Sequence, residues 1–184
     1  WPAAVCGSFK DEYLELPVPV LTTAMAKHEK MFPVKNAEGD LTTRFVFIRN
    51  SGEDATVRAG NEWVLNARFN DAKFFFDEDR KYNLAHFLEK TSGIVFHAEL
   101  GTVRQRADRL AALAEAVARA TYGDDEEARM AWEAGNLAKA DLSTGLVSEL
   151  PALQGIIGGE YARRTPRRLR LPAPAGCRRL PART

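Results

Sequence analysis

Apolar and polar positions divide the chain into a strand-like beginning and a helical remainder. Residues 17–25 (PVPVLTTAM) and 42–48 (TTRFVFI) are rich in β-branched residues, which predicts two strands. Residues 36–40 (NAEGD) form a turn cluster between them. We therefore expect an antiparallel strand pair, with a connection longer than a tight hairpin that passes through residues 32–34.

A helix with two apolar faces is predicted over residues 57–80. Its first stripe consists of Leu65, Phe69, Ala72 and Phe76. A second, partly apolar stripe consists of Val64, Ala67, Asp71 and Phe75. Both follow the helical period. A helix that is apolar on two sides must be packed on two sides, so we expect it to lie between the strands and the later helices.

Residues 82–164 are predicted to be all helical. One helical stripe consists of Leu100, Val103, Ala107, Leu110, Leu113 and Val117. Residues 122–125 (YGDD) end this helix, and residues 126–140 form another whose acidic first turn complements the helix dipole. Asp141 is positioned to cap the next helix, and Pro151 begins a new segment or kinks this one.

These elements predict an α+β fold. Residues 1–80 form an antiparallel β-rich region with a packed helix, and residues 82–164 form a helical bundle. The composition, 45% hydrophobic and 28% charged, is typical of globular proteins. No apolar run approaches the roughly 20 residues of a membrane-spanning helix. Cys6 and Cys177 lie far apart without metal-ligand spacing, which favours a reducing cytoplasm.

The two ends of the chain differ from the rest. The start lacks an initiator Met and a signal-peptide pattern, which indicates a processed form or a fragment. Residues 165–184 contain six Arg and no acid; without them the net charge of +1 becomes −5. This Arg/Pro-rich tail is predicted to be disordered. Three interpretations stay open: a nucleic-acid-binding arm, an end without a role, and a segment translated out of frame.

Basic groups interleaved with aromatic residues are candidates for nucleic-acid binding. Lys27 and Lys30 lie in residues 27–32 (KHEKMF), and Arg68 and Lys73 lie in residues 68–76 (RFNDAKFFF). Such cations can contact phosphates, and exposed aromatic rings can stack on bases. The triple-Phe run is more typical of a core.

The helical stretch of residues 82–164 partly resembles one known metal-binding pattern. HD-type phosphohydrolases bind a water-activating metal through an early His, an adjacent His-Asp pair and a later Asp. The corresponding positions here are His97, Lys139, Asp141 and Glu149. An ammonium group has no lone pair, so Lys139 leaves this site degenerate and predicts no metal. His97 itself, beside apolar neighbours, is either a hydrogen-bonded core or boundary residue or a metal ligand.

Several longer motifs occur in one order along the chain. They are residues 9–17 (FKDEYLELP), 20–34 (VLTTAMAKHEKMFPV), 57–79 (VRAGNEWVLNARFNDAKFFFDED), 100–102 (LGT), 139–144 (KADLST), 149–155 (ELPALQG) and 161–163 (YAR). Together they resemble the β subunit of bacterial tetrameric glycyl-tRNA synthetase, over residues 1–164. The resemblance stops after Arg164.

The resemblance implies a fragment of a longer subunit. Residues 1–80 would be its B3/B4-like region, and residues 82–164 a degenerate HD-like domain without catalytic residues. Glycine, ATP and Mg would bind the separate α subunit, so the implied partners are tRNA(Gly), that α subunit and the rest of the β subunit. The candidate tRNA-binding residues are Lys27, Lys30, Arg68, Lys73, Arg104 and Arg106. The alternative is a metal-dependent HD-type phosphohydrolase that uses His97, Asp141 and Glu149.

Overall fold

A three-stranded antiparallel sheet forms the first layer of the molecule. The computed structural model describes residues 1–164, except the side chain of His28, and the predicted disorder of residues 165–184 lies outside them. The strands are β1 (Ala3–Ser8), β2 (Phe32–Lys35) and β3 (Leu41–Arg49), in the order β1-β3-β2. Along β3, Phe45 and Phe47 are buried while Arg44 and Ile48 are exposed, the alternation expected of a strand with one buried face. The strand predicted at 42–48 is confirmed, and it lies at the centre of the sheet.

The strand predicted at residues 17–25 is wrong, because this segment is helical. α1 (Val18–Thr23) begins after Pro17 and continues as a π-helical turn at Ala24–His28. Pro19 fits in the first turn, where its missing N–H has no helical partner to lose. The segment buries Val20, Leu21, Ala24 and Met25. These residues share one helical face, so packing overrides the β propensity of the sequence.

The pairing of the strands also differs from the expectation. β3 pairs with β1, in a register that sets Val5 opposite Phe47, and with β2, in a register that sets Phe32 opposite Val46. The predicted connection through residues 32–34 is itself the edge strand β2. The sequence pattern misses β1 because residues 3–8 (AAVCGS) are mostly small.

The long helix α2 (Asp54–Asp79) joins the sheet to the later helices. Its first predicted stripe is buried as expected: Leu65, Phe69, Ala72 and Phe76. Phe69 packs on the rings of Phe9 and Tyr13, with centroids 4.9 and 5.6 Å away. The C-terminal half of α2 packs on α6 (Gly145–Glu149). The helix thus lies between the sheet and the later helices as predicted, but it does so through one buried stripe. The prediction of a second packed side is wrong, because Val64, Ala67 and Asp71 are exposed and Phe75 is only half-buried.

The remaining helices are interrupted by a short hairpin, so the all-helical prediction for 82–164 is wrong there. The helices are α3 (Leu84–Lys90), α4 (Val103–Tyr122), α5 (Asp125–Leu137) and α7 (Ile157–Arg164). The hairpin consists of β4 (Val95–His97) and β5 (Gly101–Thr102). Single 3₁₀ turns lie at Asp11–Glu15, Thr91–Gly93, Ala140–Ser143 and Pro151–Leu153. Pro151 thus begins a helical segment, as predicted.

Helices α4 and α5 form an antiparallel hairpin with close backbones. Thr102 and Gln105 form a capping box at the start of α4, and Gly123 ends it in a left-handed conformation with φ +67°. A Cβ on Gly135 of α5 would lie 2.8 Å from the Ala111 Cα of α4, so only glycine fits there. The predicted stripe of α4 is correct at Val103 and Ala107, which are buried.

Of the rest of that stripe, Leu110 is half-buried and the other three residues do not face the core. Leu113 and Val117 are exposed, and Leu100 lies before the helix. Small residues, Ala111 and Ala118, are buried in their place, because the interhelical contact is too close for leucine.

One contiguous hydrophobic cluster connects the sheet, α2 and the C-terminal elements. It includes Phe45 and Phe47 of β3, Phe69 of α2, Leu146 of α6 and Ile157 of α7. Among residues 1–164, no helix is long and apolar enough to cross a membrane.

Candidate functional site

Lys27 and Lys30 lie on one exposed turn. Lys27 lies near the end of the π-helical segment Ala24–His28. Lys30 follows that segment and adopts a left-handed conformation with φ +56°. The Lys30 Nζ donates to the Lys27 carbonyl oxygen at 3.2 Å. Within the described part of the chain, neither lysine forms an ion pair. This turn therefore presents two ammonium groups to solvent.

Arg68 and Lys73 of α2 are engaged by carboxylates inside the molecule. The Arg68 guanidinium pairs with Glu149 of α6, and its Nε lies 3.8 Å from a Glu29 oxygen. The Lys73 Nζ donates to Glu15 at 3.0 Å and lies 3.7 Å from Asp77. The hydrogen bond to Glu15 is the main cause that raises the pKa of Lys73. Both cations thus join α2 to neighbouring elements.

Arg104 and Arg106 lie in the first turn of α4 but in different surroundings. Arg104 pairs with Asp108, lies 3.7 Å from Glu89 and donates to the Asn136 side chain of α5 at 3.2 Å. Arg106 instead lies over the ring of Phe96 in β4, with its Cζ 4.2 Å from the ring centroid.

The Arg106 and Phe96 pair is only partly covered by the rest of the molecule, since Arg106 is half-buried and Phe96 is exposed. Phe96 is 40% exposed, and Arg106 forms no ion pair within residues 1–164. A guanidinium stacked on an exposed ring is the type of surface on which nucleic-acid bases stack.

The four HD-like positions lie in different surroundings. His97 is exposed on β4, so the prediction of a core or boundary residue is wrong; its Nδ1 accepts from the Glu99 N–H at 3.2 Å. Asp141 is buried, Lys139 is half-buried before it, and Glu149 pairs with Arg68. Over residues 1–164, no three His, Cys, Asp or Glu side chains are grouped so that they could hold a metal ion. The geometry therefore gives no support to metal-dependent phosphohydrolysis.

The cap predicted at Asp141 is also wrong. Thr144 caps α6, where its side chain accepts from the Val147 N–H. The Asp141 Oδ2 accepts from the Gly155 N–H, fourteen residues along the chain, because Asp141 is already inside the 3₁₀ turn and faces the following loop.

Asp79 is a buried acidic residue outside the set of site residues predicted from the sequence. Its carboxylate accepts three hydrogen bonds of 2.9 Å, from the N–H groups of Gly145 and Leu146 and from the Tyr161 hydroxyl. Burial, followed by the Asp79 charge, raises the pKa of Tyr161. The signal is present in the sequence: Asp79 continues the buried stripe of α2, three residues after Phe76. An acid in an apolar stripe indicates a buried carboxylate with partners.

Comparison with known proteins identifies relatives over nearly the whole chain. A family model described as glycyl-tRNA synthetase beta subunit matches residues 1–170, and so extends past Arg164. The glycine–tRNA ligase beta subunits of Desulfitobacterium hafniense (strain DCB-2) and Bacillus subtilis are 43% and 41% identical over 166 and 165 residues. Each alignment covers 89% of this chain and 24% of the relative.

A third relative shows similar identity and coverage. The glycine–tRNA ligase beta subunit of Phenylobacterium zucineum is 45% identical over 166 residues, which cover 88% of this chain and 25% of the relative. The chain therefore spans about a quarter of the length of the curated relatives that it matches.

Proposed function

Because the chain belongs to the glycyl-tRNA synthetase β-subunit family, we propose that it is a tRNA-binding and scaffolding part of a glycine–tRNA ligase. It would contribute to the attachment of glycine to tRNA(Gly) together with an α subunit and the remainder of a β subunit. ATP and Mg²⁺ would act at the α subunit, in the cytoplasm. Identity above 40% to named β subunits supports this proposal.

Within the chain, we propose that residues 1–80 are the B3/B4-like region and residues 82–164 the degenerate HD-like domain. The ion pair between Glu149 and Arg68 supports the degeneracy, because it occupies a carboxylate that a metal would need. Lys139 supports it as well, since an ammonium group cannot bind a cation.

The observation that carries tRNA binding is the exposed stack of Arg106 on Phe96. Proteins recognise unpaired RNA by stacking its bases on aromatic rings and on guanidinium planes. Lys27 and Lys30 are free to contact backbone phosphates. Of the six predicted residues, these three are therefore the proposed tRNA contacts. Arg68, Lys73 and Arg104 would instead maintain the fold, because their charges are already paired.

A titration of glycine tRNA into residues 1–184 at two salt concentrations tests this proposal. The triple variant Lys27→Ala, Lys30→Ala, Arg106→Ala should bind at least about tenfold more weakly. It should also show a shallower salt dependence, by roughly 0.7–0.9 in log–log slope for each lost phosphate contact.

A matched control removes three other exposed cations. Arg119, Arg129 and Arg163 are each paired with acidic neighbours, and their alanine variants should retain affinity and slope. A further variant replaces the six arginines of residues 165–184 with glutamine. If only this last variant loses binding, the tail alone supplies the contacts and the proposed surface is refuted.

A further inference from the structure

The outer edge of β1 is one side of the three-stranded sheet, and β1 pairs with β3 alone. Just beyond the strand, the Phe9 N–H donates to the Thr43 carbonyl oxygen at 2.9 Å. Hydrogen-bonded positions alternate along an antiparallel pair, so this bond and the register assign the groups that face β3 to the odd-numbered residues of β1. The N–H and C=O groups of Ala4, Cys6 and Ser8 therefore point away from β3.

Ser8 supports this direction and closes one end of the edge. Its N–H donates to the Glu62 Oε1 of α2 at 2.8 Å, and its hydroxyl donates to the same oxygen at 3.3 Å. At the other end, Pro2 has no N–H. Between these positions, the outward N–H and C=O groups of Ala4 and Cys6 have no hydrogen-bond partner among residues 1–164.

The opposite edge of the sheet is protected against further pairing. β2 contains Pro33 and Lys35, and its register shifts between them. Proline, lysine and such irregularities are the features that prevent the edges of sheets from pairing with another strand. β1 (AAVCGS) contains neither residue type, and its register with β3 is regular. An additional strand is therefore favoured at β1 and disfavoured at β2.

We propose that the edge of β1 binds the same edge of a second copy of this chain in an antiparallel pair. With Val5 of both copies at the two-fold axis, Ala4 of each copy lies opposite Cys6 of the other. This register forms four hydrogen bonds, because each copy contributes two N–H groups to two carbonyl groups of the other. The interface includes none of the proposed tRNA contacts, so it does not depend on the proposed function.

The self-complementarity of β1 favours a second copy over an unrelated strand. In this register Pro2 of one copy lies opposite Ser8 of the other, so the pairing ends where neither residue has an N–H left to donate. β1 contains no charged residue that would meet its own copy across the axis. The antiparallel arrangement also brings the fully exposed Trp1 beside the far end of the other β1, where its ring can be covered. Because both β2 edges stay protected, assembly ends at a two-fold dimer.

Sedimentation velocity of residues 1–184 over a concentration series, with a reductant present, tests the proposal. The mass should rise from 20.4 kDa toward twice that value as the concentration increases. A mass that stays at the monomer value throughout the series, or one that passes beyond the dimer, would overturn the proposal.

Charge substitutions connect this association with the edge of β1. Cys6 is exposed, and Cys6→Lys should weaken the association at least about tenfold, because lysine on an edge strand opposes pairing. Adding Ala4→Glu to Cys6→Lys should restore the association, since each carboxylate would then lie directly opposite an ammonium group of the other copy.

Ile48→Lys is the matched control. Ile48 lies opposite Ala4 within the sheet and is 52% exposed, but it belongs to the central strand, so its substitution should leave the association unchanged. Unchanged association in Cys6→Lys, or equal weakening in Ile48→Lys, would refute the edge as the interface. No recovery in the double variant would refute the register.

Cross-linking through Cys6 measures the register independently. The two Cys6 residues would be diagonal neighbours, about 7–8 Å apart. In a Cys177→Ser background, a short bismaleimide should therefore join two copies into a covalent dimer, and Cys6→Ser should prevent this product. The absence of a covalent dimer at concentrations where the mass has doubled would contradict the proposed pairing.

Discussion

The region around α2 and the α4–α5 hairpin differ in the size of the side chains that they bury. Around α2, large side chains fill the interior, among them Phe45, Leu65 and Phe69, which are all fully buried. In the hairpin, the buried residues are small: Ala107, Ala111, Ala118 and Ala128, with Val103 at one end. Its large apolar residues are instead exposed: Leu113, Val117, Tyr122 and Trp132.

The two regions therefore stabilise their helices in two different ways. Near α2, stability comes from large apolar area removed from water. In the hairpin, small residues let the backbones approach closely, and each contact buries little area. Local opening should therefore begin in the hairpin, where fewer apolar contacts oppose it.

The largest effect is expected from Phe69→Ala. Phe69 is 0% exposed and packs on Phe9 and Tyr13, so its truncation should lower the free energy of unfolding by about 3–5 kcal/mol. Phe74→Ala on the same helix is the control, since Phe74 is 58% exposed and should cost about 1 kcal/mol or less. Urea denaturation measures both. Two separate transitions, of which Phe69→Ala shifts one, would disprove a continuous core.

A smaller effect is expected from Gly135→Ala in the hairpin. The added Cβ would lie 2.8 Å from the Ala111 Cα, which is backbone and cannot rotate away. The helices must separate, at a cost of about 1–3 kcal/mol. Gly60→Ala in α2 meets no atom within 4 Å and should instead stabilise the chain by about 0.5–1 kcal/mol. Thermal denaturation distinguishes the two variants. A higher melting temperature in Gly135→Ala would contradict the close approach of the α4 and α5 backbones.

Tyr161→Phe should lower the free energy of unfolding by about 1 kcal/mol at neutral pH. It should also change how that free energy depends on pH. Burial and the Asp79 charge raise the pKa of Tyr161 above its ordinary value of 10.0, so the phenol ionises first in the unfolded chain. The folded chain is therefore fully stabilised by this group below pH 10 and loses that stability as the pH rises further.

Urea midpoints at pH 8, 10 and 11 check this sign. The urea midpoint should decline less steeply above pH 10 in Tyr161→Phe than in the unsubstituted chain. Tyr122→Phe, at an exposed position in the hairpin, is the matched control and should retain the full decline. An equal decline in both variants would exclude Tyr161 as its source.

The smallest effect is expected from Leu113→Gln. Leu113 is 62% exposed, so the free energy of unfolding should change by no more than about 0.5 kcal/mol. Leu146→Ala, at a fully buried position, should cost about 2–5 kcal/mol by comparison. A loss above 1 kcal/mol in Leu113→Gln would show that the hairpin buries this side chain after all.

Periodicity predicts the elements in which one face is buried over many residues. The alternation along β3 and the stripe from Leu65 to Phe76 are examples, because each repeats a single period several times. The pattern fails for α1, where β-branched residues pack as a helix because Val20 and Leu21 face the core. It also fails for β4 and β5, which have three and two residues and cannot show a period.

The candidate site is harder to predict, because charge pairing depends on distant residues. Arg68 appears in the sequence as a free cation beside aromatic residues. Its partner Glu149 lies 81 residues later and is brought to it only by the packing of α6 on α2. Arg106 and Phe96 are ten residues apart, yet the hairpin that stacks them is too short to recognise. Sequence therefore indicates which groups can bind, while the fold determines which of them remain available.

The three hydrogen bonds to Asp79 have a consequence for the order of events during synthesis. Their donors lie 66, 67 and 82 residues further along the chain. At about 5–20 residues per second, a ribosome needs roughly 4–16 s to add the last of them after Asp79. Throughout that interval the carboxylate must remain hydrated, so the C-terminal end of α2 cannot reach its final place until those donors have been made. The N-terminal layer can form first, and the nascent polypeptide closes around Asp79 when Tyr161 arrives.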